Sequence, residues 1–205
     1  MARTSTAKER LTDAAWEMVW ESSYGATSVD AICERANVRK GSFYYFFKSK
    51  AELAAAALDA DWRKHQAELD GIFSPTVPPL DRLQRYHEYV LQLLGEIQQE
   101  RGVVLGCPLF TLGSEVCCSD ETALRDKIQE ILDRKMRYYE SAIRDAHAQG
   151  LINAPDAAAR ARSFFALIQG ALTQARIENS LAPIRDVYAA SMDLLGVKKS
   201  DPVPA

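Results

Sequence analysis

Two stretches of this chain carry side chains able to do chemistry. One is Gly106-Cys107-Pro108-Leu109-Phe110-Thr111-Leu112-Gly113-Ser114-Glu115-Val116-Cys117. Proline suits the first position of a helix because it has no N–H to leave unpaired, which makes Cys107 the expected N-cap. A thiol there meets unpaired backbone N–H groups and the positive end of the helix dipole, and both favour thiolate over thiol. Such a thiolate reacts with electrophiles and oxidants. A buried cysteine that only packs would have the same local sequence, so both readings stay open. Cys117 and Cys118 are vicinal and read either as resolving thiols or as packing residues. His87, on a mostly apolar helical face, is the base that a Cys107 nucleophile would need in a cysteine-dependent enzyme, the alternative reading. A lone histidine in that setting is more often a satisfied core residue. The four cysteines show no repeated metal-ligand spacing, and neither a metal nor a cofactor is expected.

The other stretch is Thr27 to Leu53, TSVDAICERANVRKGSFYYFFKSKAEL. Between Arg35 and Lys50 it holds five basic residues and no acidic one, a cluster able to neutralise phosphates. The elements around the charges decide what they are for. Val29, Ile32, Cys33 and Ala36 have the 3/4 spacing of one buried helical face, and Thr27 or Ser28 stands ready to cap it. Asn37 enters the left-handed region at low cost, so Ala36-Asn37-Val38 can reverse the chain. A second short helix, Arg39 to Phe47, directs Val38, Phe43 and Phe47 inward, and Ser49-Lys50-Ala51-Glu52 reads as a capping box that starts a third. Capped helix, turn and second helix follow in the order of a helix-turn-helix, at about residues 29–48.

The rest of the chain also reads as helix. Ala7 to Ser22 is amphipathic, with Arg3 ahead of it on an arm that reaches a phosphate or is simply a tail. The helix from Ser49 to about Gly71 is long enough to leave a small headpiece. The prolines of Phe73-Ser-Pro-Thr-Val-Pro-Pro79 then mark a boundary. Further helices are expected at Leu80 to Gln99, Glu121 to Gln149, Asp156 to Ser180 and Pro183 to Leu195. The fold class is all-α, divided into an N-terminal three-helix domain, 1–65, and a helical second domain, 66–205.

Composition excludes other classes. With 47% hydrophobic and 26% charged residues the chain is ordinary globular protein, without a membrane-length apolar run or a signal-peptide core, so it is expected in the cytoplasm. The net charge of −3 divides into +2 over residues 1–50 and −5 over the remainder. A basic headpiece on an acidic body suits a protein that holds DNA by one surface.

GSFYYFFKSKAEL, preceded by ATSVDAICERANV, resembles the N-terminal domain of the TetR family of bacterial transcriptional repressors over residues 1–65. Phe46 stands where relatives commonly carry Tyr or His, and a phenyl ring cannot donate to phosphate. The Gly106-Cys107 pair with Leu112, Ser114, Glu115 and Val116 resembles a subfamily some of whose members respond to electrophiles or oxidants through a cysteine at this place. The resemblance implies a homodimer formed through the last two helices, a DNA operator as partner, and a small-molecule effector.

On this reading Thr27 and Ser28 touch phosphate, Arg39, Lys40, Gly41, Ser42, Tyr44 and Tyr45 face the major groove, and Lys50 clamps phosphate. Cys107 is the candidate regulatory residue. An effector pocket is expected among Tyr86, Tyr89, Phe110, Tyr139, Gln169, Thr173 and Arg176, although an aromatic stripe is more often core than pocket. An interaction module that uses its apolar faces for a protein partner is the remaining reading.

Overall fold

The computed structural model describes residues 6–197, and Arg3 lies outside them. Among the described residues the chain is α-helical without a strand. The helices are α1 (Ala7–Glu21), α2 (Val29–Arg35), α3 (Lys40–Phe46), α4 (Lys50–Ile72), α5 (Pro79–Arg101), α6 (Pro108–Val116), α7 (Thr122–Ala148), α8 (Ala157–Glu178) and α9 (Ala182–Leu195).

Two compact units divide the chain. Of the described residues, the first takes those up to Ala67 together with Gly106–Asp133, and the second takes Glu68–Leu105 and those from Arg134 onward. The unit that holds the headpiece therefore also includes α6 and the beginning of α7, which lie beyond residues 1–65 in the sequence.

In the first unit, α1 begins at a full capping box: the Thr6 hydroxyl accepts from Glu9 N–H and the Glu9 carboxylate accepts from Thr6 N–H. Its apolar stripe buries Leu11, Ala14, Ala15 and Val19, and Trp16 is buried with them. Ser28, rather than Thr27, caps α2, accepting from Ala31 N–H at 3.1 Å. Asn37 turns the chain into α3 at φ 50°. Asn37→Ala is expected to lower the stability of the headpiece by about 1 kcal/mol because a Cβ-bearing residue without the amide pays the left-handed cost, and Asn37→Gly is expected to lose less; urea midpoints compare them. Phe43 and Leu53 are fully buried and Phe47 nearly so. At the start of α4 the Ser49 hydroxyl accepts from Glu52 N–H as expected, but the Glu52 carboxylate accepts from Lys48 N–H, one residue ahead of a standard box. Helix α6 packs on α1, and Lys127 of α7 pairs with Asp59 of α4 at 3.4 Å and with Glu130 at 2.6 Å.

In the second unit, α8 and α9 pack against each other and α9 also meets α5. The core is aromatic: Phe73 contacts Tyr86, Tyr138 and Tyr139, and Tyr139 contacts Tyr86, Phe164 and Phe165. The proline-rich boundary is fixed by Arg82. Its guanidinium donates to the carbonyls of Val77 (2.8 Å) and Pro75 (3.2 Å) and pairs with Asp145 at 2.6 Å. Helix α8 ends at Asn179, itself left-handed at φ 50°. Its side chain donates to the Gly102 carbonyl and accepts from Val104 N–H, tying the end of α8 to the chain after α5.

Candidate nucleic-acid interface

The exposed face of the headpiece is built by α3. Because Phe43 and Phe47 point inward four residues apart, the intervening Tyr44 and Tyr45 are forced outward, at 58% and 82% exposure. Arg39, Lys40 and Gly41 are also exposed and Ser42 is half-buried. A side chain at Gly41 would meet only open space, so its importance is not steric within the chain. Lys40 forms an ion pair with Asp30 at 2.7 Å, and this carboxylate raises its pKa. Arg35, the first base of the cluster, is taken up by Glu17 and Glu21. Phe46 is half-buried against Tyr45, their rings 4.9 Å apart.

Two residues expected at phosphate face inward instead. Thr27 is 2% exposed and its hydroxyl donates to the Ser23 carbonyl at 2.7 Å. The Lys50 ammonium donates to the carbonyls of Tyr24 (2.9 Å) and Thr27 (3.0 Å) and lies 4.0 Å from the centre of the Tyr24 ring. Both side chains therefore hold the loop that leads into α2. The loop turns its carbonyls toward the start of α4, and a cation satisfies two of them at once. Ser28 stays exposed while its hydroxyl caps α2.

The same loop is gripped from α6 and the turn after it. The Glu115 carboxylate accepts from the backbone N–H groups of Tyr24 (3.2 Å) and Gly25 (2.8 Å), one with each oxygen. The Tyr24 hydroxyl donates to Glu121 at 2.7 Å. Burial, followed by that carboxylate, pushes the Tyr24 phenol far above its usual pKa, so it stays a donor throughout the physiological range. Trp20 Nε1 donates to the Gly106 carbonyl at 2.8 Å. Nothing local in sequence announces these four anchors, whose partners lie some ninety residues away.

Cys107 is the N-cap of α6, followed by Pro108 at the first helical turn, as expected; its thiol makes no capping hydrogen bond and is half-buried. Its carbonyl accepts from Thr111 N–H and from the Thr111 hydroxyl, both at 3.1 Å. The expected pocket residues are only partly gathered. Tyr86, Tyr139 and Gln169 are buried in the second unit, with the two tyrosine rings 5.2 Å apart. Tyr89 and Arg176 are half-buried there and Thr173 is exposed. Phe110 belongs to the first unit and is 46% exposed. Gln169 stands out, because its side-chain amide is buried with neither its oxygen nor its nitrogen hydrogen-bonded. His87 is half-buried against Tyr188, ring centres 5.1 Å apart, and burial lowers its pKa. It lies in the second unit and Cys107 in the first. Among the described residues no three or more potential ligands are grouped to hold a metal, and no helix is long and apolar enough to cross a membrane.

The sequence matches two families, one described as bacterial regulatory proteins, tetR family, over residues 11–57, and one as tetracyclin repressor-like, C-terminal domain, over residues 79–191. It is 30% identical over 178 residues to the transcriptional regulator AcuR of Cereibacter sphaeroides, covering 85% of this chain and 78% of that protein. It is 25% identical over 188 residues to the HTH-type transcriptional repressor NemR of Escherichia coli, covering 89% and 90%. Among solved structures, a regulatory protein TetR from Rhodobacter sphaeroides superimposes with a TM-score of 0.79 at 28% identity, covering 93% of this chain and 99% of that one. The reduced form of E. coli NemR shares the fold, with a TM-score of 0.77 at 19% identity over 94% and 98%.

Proposed function

The chain belongs to the TetR family of bacterial DNA-binding transcriptional regulators, and from that premise we propose that it is a homodimeric cytoplasmic repressor released from a palindromic operator by a small effector or by modification of Cys107. The observation that carries the reading is the face of α3, where two large aromatics stand in solvent beside Arg39 and Lys40. Large exposed tyrosines on a recognition helix have a use on DNA and none in the core. Residues 1–65 act as the DNA-binding domain and 66–205 as the effector-binding and dimerisation domain. Ser28, Arg39, Lys40, Gly41, Ser42, Tyr44 and Tyr45 form the contact set, with Thr27 and Lys50 holding the loop behind it.

Dimerisation through α8 and α9 is supported by the surface of that pair. Ile177 is 79% exposed, and Leu167, Gly170, Ala171, Pro183, Val187 and Ala190 line an open groove of about 600 Å³. A second copy supplies the second reader that a palindromic site requires. An effector in the second unit is supported by Gln169. Its buried amide gains its missing hydrogen bonds only if a polar group reaches it, and the aromatic core of the same unit suits a ligand with an apolar body.

Genomic footprinting with and without an electrophile challenge, repeated with Cys107→Ser, tests both parts. Paired, symmetric footprints are expected, and they are expected to fade on challenge in the wild type while persisting in the variant. Absence of paired footprints overturns the repressor reading. Equal release from both proteins overturns the role of Cys107 alone.

A further inference from the structure

Neither the DNA face nor Cys107 accounts for Cys117 and Cys118. Both are exposed free thiols at the C-terminal end of α6, with their sulfurs 3.6 Å apart. The Cys117 thiol also donates to the Ser114 carbonyl at 3.2 Å. Of the two readings the sequence left for this pair, exposure removes the packing one. The hydrogen bond between the thiols raises the pKa of Cys118 above that of an ordinary cysteine, which keeps it a thiol near neutrality.

A direct disulfide fits poorly here. Neighbouring Cα atoms are ~3.8 Å apart across a trans peptide, short of the ~4.4–6.8 Å that disulfides favour, and the described residues contain no cis peptide bond. A single bridging atom fits well. Two bonds of the ~2.3 Å length that thiolates make to zinc join one atom to sulfurs 3.6 Å apart at a near-tetrahedral angle. A metal ion would need further ligands, and among the described residues no third ligating side chain is grouped with these two. A soft centre that brings its own substituent needs none.

We propose that Cys117 and Cys118 form a vicinal dithiol site that captures trivalent organoarsenicals, placed in the turn between the two carboxylates that hold Tyr24. With an arsenoxide R–As=O, two As–S bonds form while the As=O bond and both S–H bonds break. The two protons leave on the oxygen as water, and no oxidation state changes. The location gives the capture a consequence. Glu115 lies two residues before the pair and Glu121 three after it. The intervening turn is held by the Ser119 hydroxyl, which donates to the Val116 carbonyl, and by Arg125, which donates to the Cys117 carbonyl. A ring closed across Cys117 and Cys118 takes the Cys117 thiol from Ser114 and reshapes that turn, loosening the grip on Tyr24 and Gly25. Any effect on DNA rests on the regulator reading; the capture itself does not.

The full-length protein titrated with phenylarsine oxide, followed by intact mass and free-thiol counting, tests the proposal. Wild type and Cys107→Ser are each expected to take one arsenical per chain at the cost of two thiols, reversed by ethanedithiol but not by excess glutathione. Cys117→Ser and Cys118→Ser, each a small change at an exposed position, are expected to bind at least about a hundredfold more weakly, the loss of a two-point attachment. No uptake, retention in either serine variant, or loss in Cys107→Ser overturns the site. Hydrogen exchange at the Tyr24 and Gly25 amides is expected to quicken on capture. Unchanged exchange overturns the relay to the headpiece, and footprints unaltered by bound arsenical overturn its link to DNA without touching the site.

Discussion

Asp145→Ala is expected to lower the stability of the second unit by about 3 kcal/mol, the low end of the ~3–5 kcal/mol that follows when a buried ion pair loses one partner. The loss arises on the other side of the pair. Arg82 has a side chain only 3% exposed, against 37% for Asp145, so the guanidinium is the group left charged without its counterion. The carbonyls of Val77 and Pro75 still accept from it, which is why the lower figure applies. Arg82→Met is expected to cost less than Asp145→Ala, because the exposed carboxylate returns to water while an apolar side chain occupies the site. Chemical denaturation of both variants checks the order. Equal or reversed losses would mean that the proline-rich segment is held by packing and not by the arginine.

Tyr44→Ala/Tyr45→Ala is expected to weaken specific DNA binding by roughly a hundredfold, at ~1–3 kcal/mol for each lost contact, while leaving the melting temperature unchanged, since both rings are mostly in solvent. Lys50→Met is expected to behave in the opposite sense. Its ammonium satisfies two loop carbonyls, and hydrogen bonds to charged groups contribute about 1.5–3 kcal/mol, so the headpiece loses stability first and DNA affinity only as a result. Binding isotherms paired with thermal melts separate the two behaviours. A Lys50→Met protein with full stability and a shallower salt dependence would restore Lys50 to the phosphate.

The contrast between those residues shows what was legible in the sequence. The helix-turn-helix, the turn at Asn37, the N-cap at Cys107 and the all-helical fold are local properties, set by side chains within a few positions of one another, and the periodicity carries them. The direction of a long flexible side chain is not local. Lys50 and Thr27 read as phosphate ligands because the pattern places them beside the motif, but the carbonyls they satisfy are created by the course of a loop twenty-odd residues away or by its own tight turn. The expected pocket residues also divide between the two units. Tyr86, Tyr139 and Gln169 are buried in the second unit, whereas Phe110, on an equally apolar stretch, belongs to the first. Phe73, Phe164 and Phe165 form the aromatic core with the tyrosines and gave no separate signal, since a stripe of rings reads alike in core and pocket.

The grip on the loop after α1 has a further consequence, in the order in which the chain is made. Trp20 reaches Gly106, Tyr24 N–H reaches Glu115 and the Tyr24 hydroxyl reaches Glu121 across 86, 91 and 97 residues. Helices α1 to α4 are therefore synthesised with these anchors missing, and at ~5–20 residues per second the wait lasts several seconds. Long-range contacts of this kind also form late in folding because their loop must close first. A nascent headpiece thus has the loop ahead of α2 fully held only when the helix carrying Cys107 and the turn after it have been translated and docked, so a chain stalled before them lacks these anchors.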